Sequence, residues 1–233
     1  MKKKLYEDDP SWEYFTVLEP KKFVAYNNYY YKRTKCHRLV IGTRKAKVMA
    51  GYRLIEKDLR NCKVWLKQVR DLLAEDPKNI GAKKNLKNTE DRDKYNLVKG
   101  LFVAALTIYG KCFTNCEGRR VRLQTKDIDE KHQETHDEAM AFRHNFAAHS
   151  GAKNLEYSNV VIVLDSKRKR ATLPKVVTEL IQPDSWGVES IDEFIELVDH
   201  VRQFALKKFD TLSDLVEREA LEKGPDYWYR KAK

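Results

Sequence analysis

Several features that mark common protein classes are scarce in this chain of 233 residues. Its four cysteines (Cys36, Cys62, Cys112 and Cys116) lack the tight paired spacing of a zinc site, so reduced thiols and no metal are predicted. The longest apolar run, Leu101–Leu106, is far shorter than the ~20 residues of a membrane helix. The basic first residues lead into Glu7–Pro10 rather than an apolar stretch, so no secretion signal is expected. We therefore expect a soluble, cytoplasmic protein with no cofactor and no membrane partner.

Positive charge, by contrast, is abundant. The chain has 46 lysine and arginine residues against 35 aspartate and glutamate residues, a net charge of +11. Such a balance favours a polyanionic partner, with nucleic acid first and acidic lipid or an acidic antitoxin-like protein as alternatives. Charged residues make up 35% of the chain and hydrophobic ones 42%, which is typical of long amphipathic helices with charged outer faces.

Apolar periodicity predicts a mainly all-α fold, an antiparallel helical bundle. From Arg44 to Ala74, apolar residues recur at spacings of four and three, as on a long helix that packs against a neighbour at a shallow angle. Residues 97–113 are apolar on nearly all sides and are expected at the centre of the bundle. A third helix is predicted at about residues 127–148. A fourth opens with the capping box at 190–193 and ends before Gly224.

One β-element is expected inside this bundle. Residues 157–177 hold two β-type segments and predict a small hairpin inserted after the third helix. Its tip is strongly basic and is a predicted RNA contact, although a solvated turn is the alternative. The tip residues are Lys167, Arg168, Lys169 and Arg170. The helical domain then spans 44–223, between an N-terminal segment (1–43) and a C-terminal tail (224–233).

The N-terminal segment 1–43 is rich in aromatic and basic residues. Phe23, Tyr26 and Tyr30 follow Pro20 at helical spacing, so a short helix with one buried aromatic face is predicted there. Aromatics interleaved with lysine and arginine also suit the stacking of single-stranded nucleic acid, which is the alternative interpretation.

The stretch Ala141–Gly151 carries the chemistry. It reads AFRHNFAAHSG and places Arg143 and His149 on either side of five residues, near the expected C-terminal end of a helix. Arginine offers a rigid fork suited to phosphate oxygens, and histidine exchanges a proton near neutral pH. His144 is a polar residue directly after the arginine. The alternative is a charged helix terminus without chemistry, since cations are favourable there by ~0.3–1 kcal/mol.

This stretch resembles the signature of the HEPN superfamily. That signature is an arginine, a following polar residue, and a histidine four to six positions after the arginine, and it is matched position by position by Arg143, His144 and His149. The surrounding residues look like its abortive-infection and toxin branches. The resemblance implies a helical fold and a metal-independent endoribonuclease. It also implies that His149 acts as general base on the ribose 2′-hydroxyl and that Arg143 stabilises the phosphate in the transition state. His144 would help to bind the phosphate. The products would be 2′,3′-cyclic phosphate and 5′-hydroxyl ends.

Helix geometry bears on how such a site is assembled. Six steps of an α-helix turn by ~600°, so Arg143 and His149 would point ~240° apart on an unbroken helix. They converge if the helix loosens near Ala148, or if two copies of the motif meet. The resemblance implies the second arrangement, a homodimer with a composite active site. It also implies a role in antiphage defence or as a toxin, with an antitoxin or another defence protein as partner.

Two further groups of charged residues lie near the motif. Arg119 and Arg120 lie in a basic loop and are predicted to contact RNA phosphates, with a solvated loop as the alternative. His132 and His136 lack the His-Glu-x-x-His order of a zinc protease and are predicted to be surface or interface residues.

Two competing functions stay open. One is a catalytically inactive HEPN dimerisation module that binds RNA, nucleotide or a partner protein, and the other is a basic helical DNA-binding protein.

Overall fold

The computed structural model describes residues 3–75, 91–148, 157–166, 173–181 and 184–232. Within these ranges the chain forms six β-strands, arranged in two sheets, and four α-helices. It divides into two compact units. Unit 1 comprises residues 1–46 and 213–233, and unit 2 comprises residues 47–212.

Unit 1 is built on an antiparallel sheet of four strands in sequential order. Its strands are β1 (Lys3–Lys4), β2 (Trp12–Glu19), β3 (Val24–Tyr31) and β4 (Thr34–Lys35). The two long strands pair along their whole length, from Trp12 opposite Tyr31 to Glu19 opposite Val24. A short 3-10 turn, Pro20–Lys22, connects them.

This sheet shows that the prediction of an all-α fold is wrong, and so is the predicted helix at Phe23, Tyr26 and Tyr30. Residues four apart share one face of a helix and also one face of a strand, so the Tyr26–Tyr30 spacing fits both structures. Phe23 is fully exposed, and its backbone is left-handed (φ 51°) at the end of the connecting turn. The extended conformation prevails because eight residues of β3 pair with β2.

The C-terminal residues of unit 1 belong to α4 (Val188–Lys231), which begins two residues before its predicted capping box and breaks at Gly224. Gly224 has φ 70° and ψ 165°, a backbone region that is essentially restricted to glycine. Pro225 follows and helical structure resumes, with Pro225 at a position where its missing N–H costs nothing. The predicted tail is therefore a last helical segment.

Unit 2 holds the predicted helices. They are α1 (Arg44–Ala74, whose first residues belong to unit 1), α2 (Arg92–Phe113), α3 (Gln133–Phe142) and the part of α4 that ends at Leu212. The apolar stripe of α1 is buried as its spacing predicts, at Ile55, Leu59, Cys62, Leu66 and Val69. These residues join one hydrophobic core with side chains of α2, α3 and α4.

Helix α2 is the most apolar of the described helices. Among the described residues it is the one helix long and apolar enough to cross a membrane by length and composition. Its Phe102, Leu106 and Tyr109 are buried in the core of unit 2. The buried central helix of a bundle has the same length and composition, so α2 is weak evidence for a membrane span.

The predicted hairpin is present as β5 (Tyr157–Val163) and β6 (Lys175–Ile181), paired in antiparallel register. Residues directly opposite each other lie on one face, so Val160, Ile162, Val176 and Leu180 share a face. These four side chains are 58–72% exposed. An isolated two-stranded hairpin is at best marginally stable in water, and this one leaves an apolar face uncovered.

Candidate active site

The candidate site lies where α3 gives way to a π-helix, Arg143–Ala148. The last α-helical residue, Phe142, is buried and packs its ring 5.9 Å from that of Phe102 and 5.7 Å from that of Trp186. These ring contacts place the end of α3 in the core of unit 2. π-Helical segments are rare and occur frequently at functional sites.

Arg143 is the first residue of the π-helix, and its side chain lies against Gly110 of α2. A Cβ atom built on Gly110 would sit 2.1 Å from Cδ and 2.6 Å from Nε of Arg143, distances that van der Waals contact forbids. The arginine can therefore cross α2 at this place only because residue 110 has no side chain. Gly110 thus sets the path of the Arg143 guanidinium.

The sequence pattern did not identify Gly110 as a site residue. Its signal was present, since a glycine inside an otherwise apolar helix costs ~1 kcal/mol against alanine and usually has a packing reason. What the glycine accommodates could not be read from the sequence, because Arg143 is 33 positions away.

The two histidines of the motif differ in what the structure describes. His144 follows Arg143 in the π-helix and is exposed at the surface. His149, the expected general base, lies outside the described residues. The angle of ~240° between Arg143 and His149 was calculated for an unbroken α-helix. Residues 143–148 form a π-helix, which turns through a smaller angle per residue, so that angle does not apply here.

The loop after α2 holds a second group of basic side chains. Arg119, Arg120 and Arg122 line a cavity of about 500 Å³ together with Tyr52 and Gln124. None of the lining residues that the structure describes is acidic. A basic cavity of this kind suits a phosphate group.

Within this loop the structure corrects the predicted role of Arg119. Its side chain is buried, its Nη2 donates a hydrogen bond to the Lys111 carbonyl oxygen, and its Nη1 lies 3.6 Å from the buried carboxylate of Asp58. A buried carboxylate needs a cationic partner, so Arg119 serves the interior. Arg120 is exposed, and its contact with RNA stays a prediction. Lys167, Arg168, Lys169 and Arg170 lie outside the described residues.

The prediction that His132 and His136 are surface or interface residues is wrong, because both are buried within the chain. His136 Nδ1 and the Tyr109 hydroxyl share a hydrogen bond, with 2.8 Å between the two atoms. Its ring also lies 4.5 Å from that of Phe113. The sequence placed both histidines on a charged stretch, but one face of that stretch turns towards the aromatic core.

Burial of His136 makes the stability of unit 2 depend on pH. Desolvation lowers the pKa of His136, with a smaller opposing effect from Asp137, so the folded protein holds this imidazole neutral. As pH falls below about 6.5, the unfolded chain takes up a proton that the folded chain resists, and stability decreases. We therefore expect the free energy of unfolding to be smaller at pH 5 than at pH 7, in part because of this group.

The measurement is urea unfolding at pH 7 and pH 5 of the wild type and of His136→Asn. Asparagine offers an acceptor oxygen to Tyr109 and does not titrate. The variant should therefore lose less stability between the two pH values than the wild type. An equal loss in both proteins would contradict this role of His136.

The buried cysteines are not reactive groups. Burial raises the pKa of Cys112 to about 12 and also raises that of Cys62, so neither is a reactive thiolate. No cluster of potential metal ligands occurs among the residues that the structure describes.

A cavity of about 630 Å³ is lined by five glutamates, at positions 134, 138, 189, 193 and 196, and would repel RNA.

No protein-family model, curated protein or solved structure matches this chain.

Proposed function

We propose that this protein is a metal-independent endoribonuclease of the HEPN type. The observation that supports the proposal is the placement of Arg143, which begins a π-helix and crosses α2 at a glycine that leaves room for its side chain. A glycine in a core helix and a π-helical segment each cost stability. Both features concern the arginine of the motif. Their cost favours a functional role for Arg143 over that of a charged residue at a helix terminus.

The proposed reaction is cleavage by the 2′-hydroxyl group of the RNA itself. His149 removes the proton of the 2′-hydroxyl, whose oxygen attacks the adjacent phosphorus while the bond to the 5′-oxygen breaks. Arg143 stabilises the negative charge that develops on the phosphoryl oxygens. His149 of the partner subunit protonates the departing 5′-oxygen. The products are a 2′,3′-cyclic phosphate and a 5′-hydroxyl, and DNA is not cut because it lacks the nucleophile.

A homodimer is part of the proposal, because the reaction uses two proton carriers and each subunit supplies only one, His149. The β5–β6 hairpin supports it. Val160, Ile162, Val176 and Leu180 form an exposed aliphatic face, which we call the hairpin face. Exposed apolar faces of this kind mark protein interfaces, and in a symmetric dimer the same face would be used by both subunits.

The biological setting follows from the resemblance. We propose a cytoplasmic enzyme of antiphage defence or a toxin–antitoxin pair, with RNA as substrate and a protein partner that restrains it. The exposed Arg120 and the basic segment 167–170 are the proposed phosphate contacts outside the active site.

The test is cleavage of a mixed RNA pool in the presence of EDTA by the wild type and by His149→Ala. We expect the wild type to cut and to leave 2′,3′-cyclic phosphate ends, and the variant to be inactive. If metal-free cutting is absent from both, the nuclease proposal is wrong. The chain would then be better described as a HEPN module that binds RNA, nucleotide or a partner protein.

A further inference from the structure

Unit 1 contains a cavity of about 870 Å³ with aromatic walls. On the sheet side it is lined by Trp12, Tyr29 and Tyr31, and on the helical side by Trp228 and Tyr229 of the segment after Gly224. The rings of Trp12 and Tyr31 are 4.8 Å apart at their centroids. Four of the chain's 233 residues are tryptophan, and two of them line this cavity.

Alternation along the strands explains how the sequence builds this wall. Trp12 is directly opposite Tyr31 in the register of β2 and β3, so the two rings share one face of the sheet. Tyr29 lies two residues before Tyr31 and is on the same face. Tyr30 lies between them and faces the opposite side, where its ring is 6.3 Å from that of Phe15.

The opposite wall depends on Gly224. The break in α4 at this residue redirects the last helical turns, which carry Trp228 and Tyr229. The Trp228 indole Nε1 donates a hydrogen bond of 2.8 Å to the Ala220 carbonyl oxygen, which fixes the orientation of that ring. Tyr229 lines the cavity and is 63% exposed, so its side chain is accessible to a ligand.

The charges around this cavity are positive. Lys32 and Lys35 line it, and none of its lining residues that the structure describes is acidic. The ammonium group of Lys32 lies 5.3 Å from the centroid of the Tyr31 ring. Across residues 1–46 and 213–233 there are 16 lysine and arginine residues against 10 aspartate and glutamate residues, a balance of +6 within the total of +11.

A tight turn carries one of these charges. Lys32 and Arg33 form the turn between β3 and β4 with positive φ angles of 45° and 70°. This conformation favours glycine or asparagine. Positive φ at both central positions is the ordinary geometry of a two-residue β-hairpin turn. The turn brings Lys32 to the cavity wall.

We propose that this aromatic cavity binds the bases of single-stranded RNA, with Lys32 and Lys35 contacting the flanking phosphates. Exposed aromatic rings beside lysines match the two parts of a nucleotide, the flat base and the anionic phosphate. A cationic ligand is disfavoured because the lysines would repel it. Duplex RNA is disfavoured because its bases are stacked on one another and do not present a free face.

This inference rests on RNA as the partner in the proposed function, but binding here does not require cleavage. The experiment therefore uses the full-length protein and a single-stranded uridine oligonucleotide with 2′-O-methyl groups. That probe has no 2′-hydroxyl and cannot be cut by the proposed mechanism. Binding is followed by fluorescence anisotropy of a dye on the oligonucleotide and by quenching of tryptophan fluorescence.

The variants use neighbouring tyrosines that differ in the side of the sheet they face. Tyr31→Leu and the exposed Tyr229→Ala are expected to weaken binding by roughly 10-fold or more, the effect of losing one base–aromatic contact. Tyr30→Leu makes the same substitution one position from Tyr31 and should bind as the wild type does. Circular dichroism establishes that the three variants are folded.

Lys35→Ala adds an independent readout. Loss of one phosphate contact should reduce the slope of log affinity against log salt concentration by ~0.7. The proposal is overturned if Tyr31→Leu, Tyr229→Ala and Tyr30→Leu all bind the probe equally, or if the wild type prefers duplex RNA. Displacement of the probe by a proline-rich peptide but not by unlabelled uridine oligonucleotide would also overturn it, since aromatic grooves can bind such peptides.

Discussion

Replacing Gly110 by alanine is expected to lower the rate of RNA cleavage by about 100-fold, close to the effect of Arg143→Ala. The three atoms nearest to the added Cβ all belong to Arg143, at 2.1, 2.6 and 3.3 Å, so the methyl group displaces that side chain and little else. Loss of one charge-stabilising group in a transition state costs about 10²–10³ in rate. The measurement is single-turnover cleavage of one RNA substrate.

A matched control on the same helix separates this effect from damage to the fold. Gly100 also lies in α2, and nothing lies within 4 Å of the Cβ that alanine would place there. Both substitutions improve helix propensity by ~1 kcal/mol. Gly100→Ala should therefore be at least as stable as the wild type and fully active, whereas Gly110→Ala should be folded and nearly inactive.

Either of two results would contradict the placement of Arg143. One is wild-type cleavage by Gly110→Ala. The other is a loss of activity in Gly110→Ala that is matched by unfolding. The contact is with the far end of a long side chain, which can move away without disturbing the core, so unfolding is not expected.

The second large effect is expected from Ile162→Lys, which places a charge in the middle of the hairpin face. If two subunits meet symmetrically through this face, the substitution removes the burial of two large aliphatic side chains, one from each subunit, which together contribute about 3–6 kcal/mol. The dimer dissociation constant should therefore rise by roughly 100-fold or more. Light scattering across a concentration series measures the change in mass.

Cleavage should fall together with dimerisation, because the proposed reaction takes its second proton carrier from the partner. Asn159→Lys is the control, since it adds the same charge to the same strand on the opposite face, opposite Glu179. It should leave both mass and activity unchanged. A wild type that is monomeric and active at all concentrations would remove the composite site from the proposal.

The sequence indicated the helical part of the fold well because its signals are local. The apolar stripe of α1 and the nearly uniform apolar character of α2 each extend over several helical turns, and no other regular structure would bury them. The hairpin β5–β6 was also predicted, from two β-type runs and a basic turn. The sheet of unit 1 was not, because a spacing of four residues fits both a strand and a helix.

The sequence by itself determined which groups are available for chemistry, an arginine and two histidines within seven residues, and how charge is distributed along the chain. Only the tertiary structure decided the surroundings of the side chains that it describes. It laid Arg143 across Gly110, turned Arg119 towards Asp58, buried His132 and His136, and set Tyr31 and Tyr229 around one cavity. These outcomes depend on contacts between residues far apart in the chain, and local periodicity carries no information about which distant residues will meet.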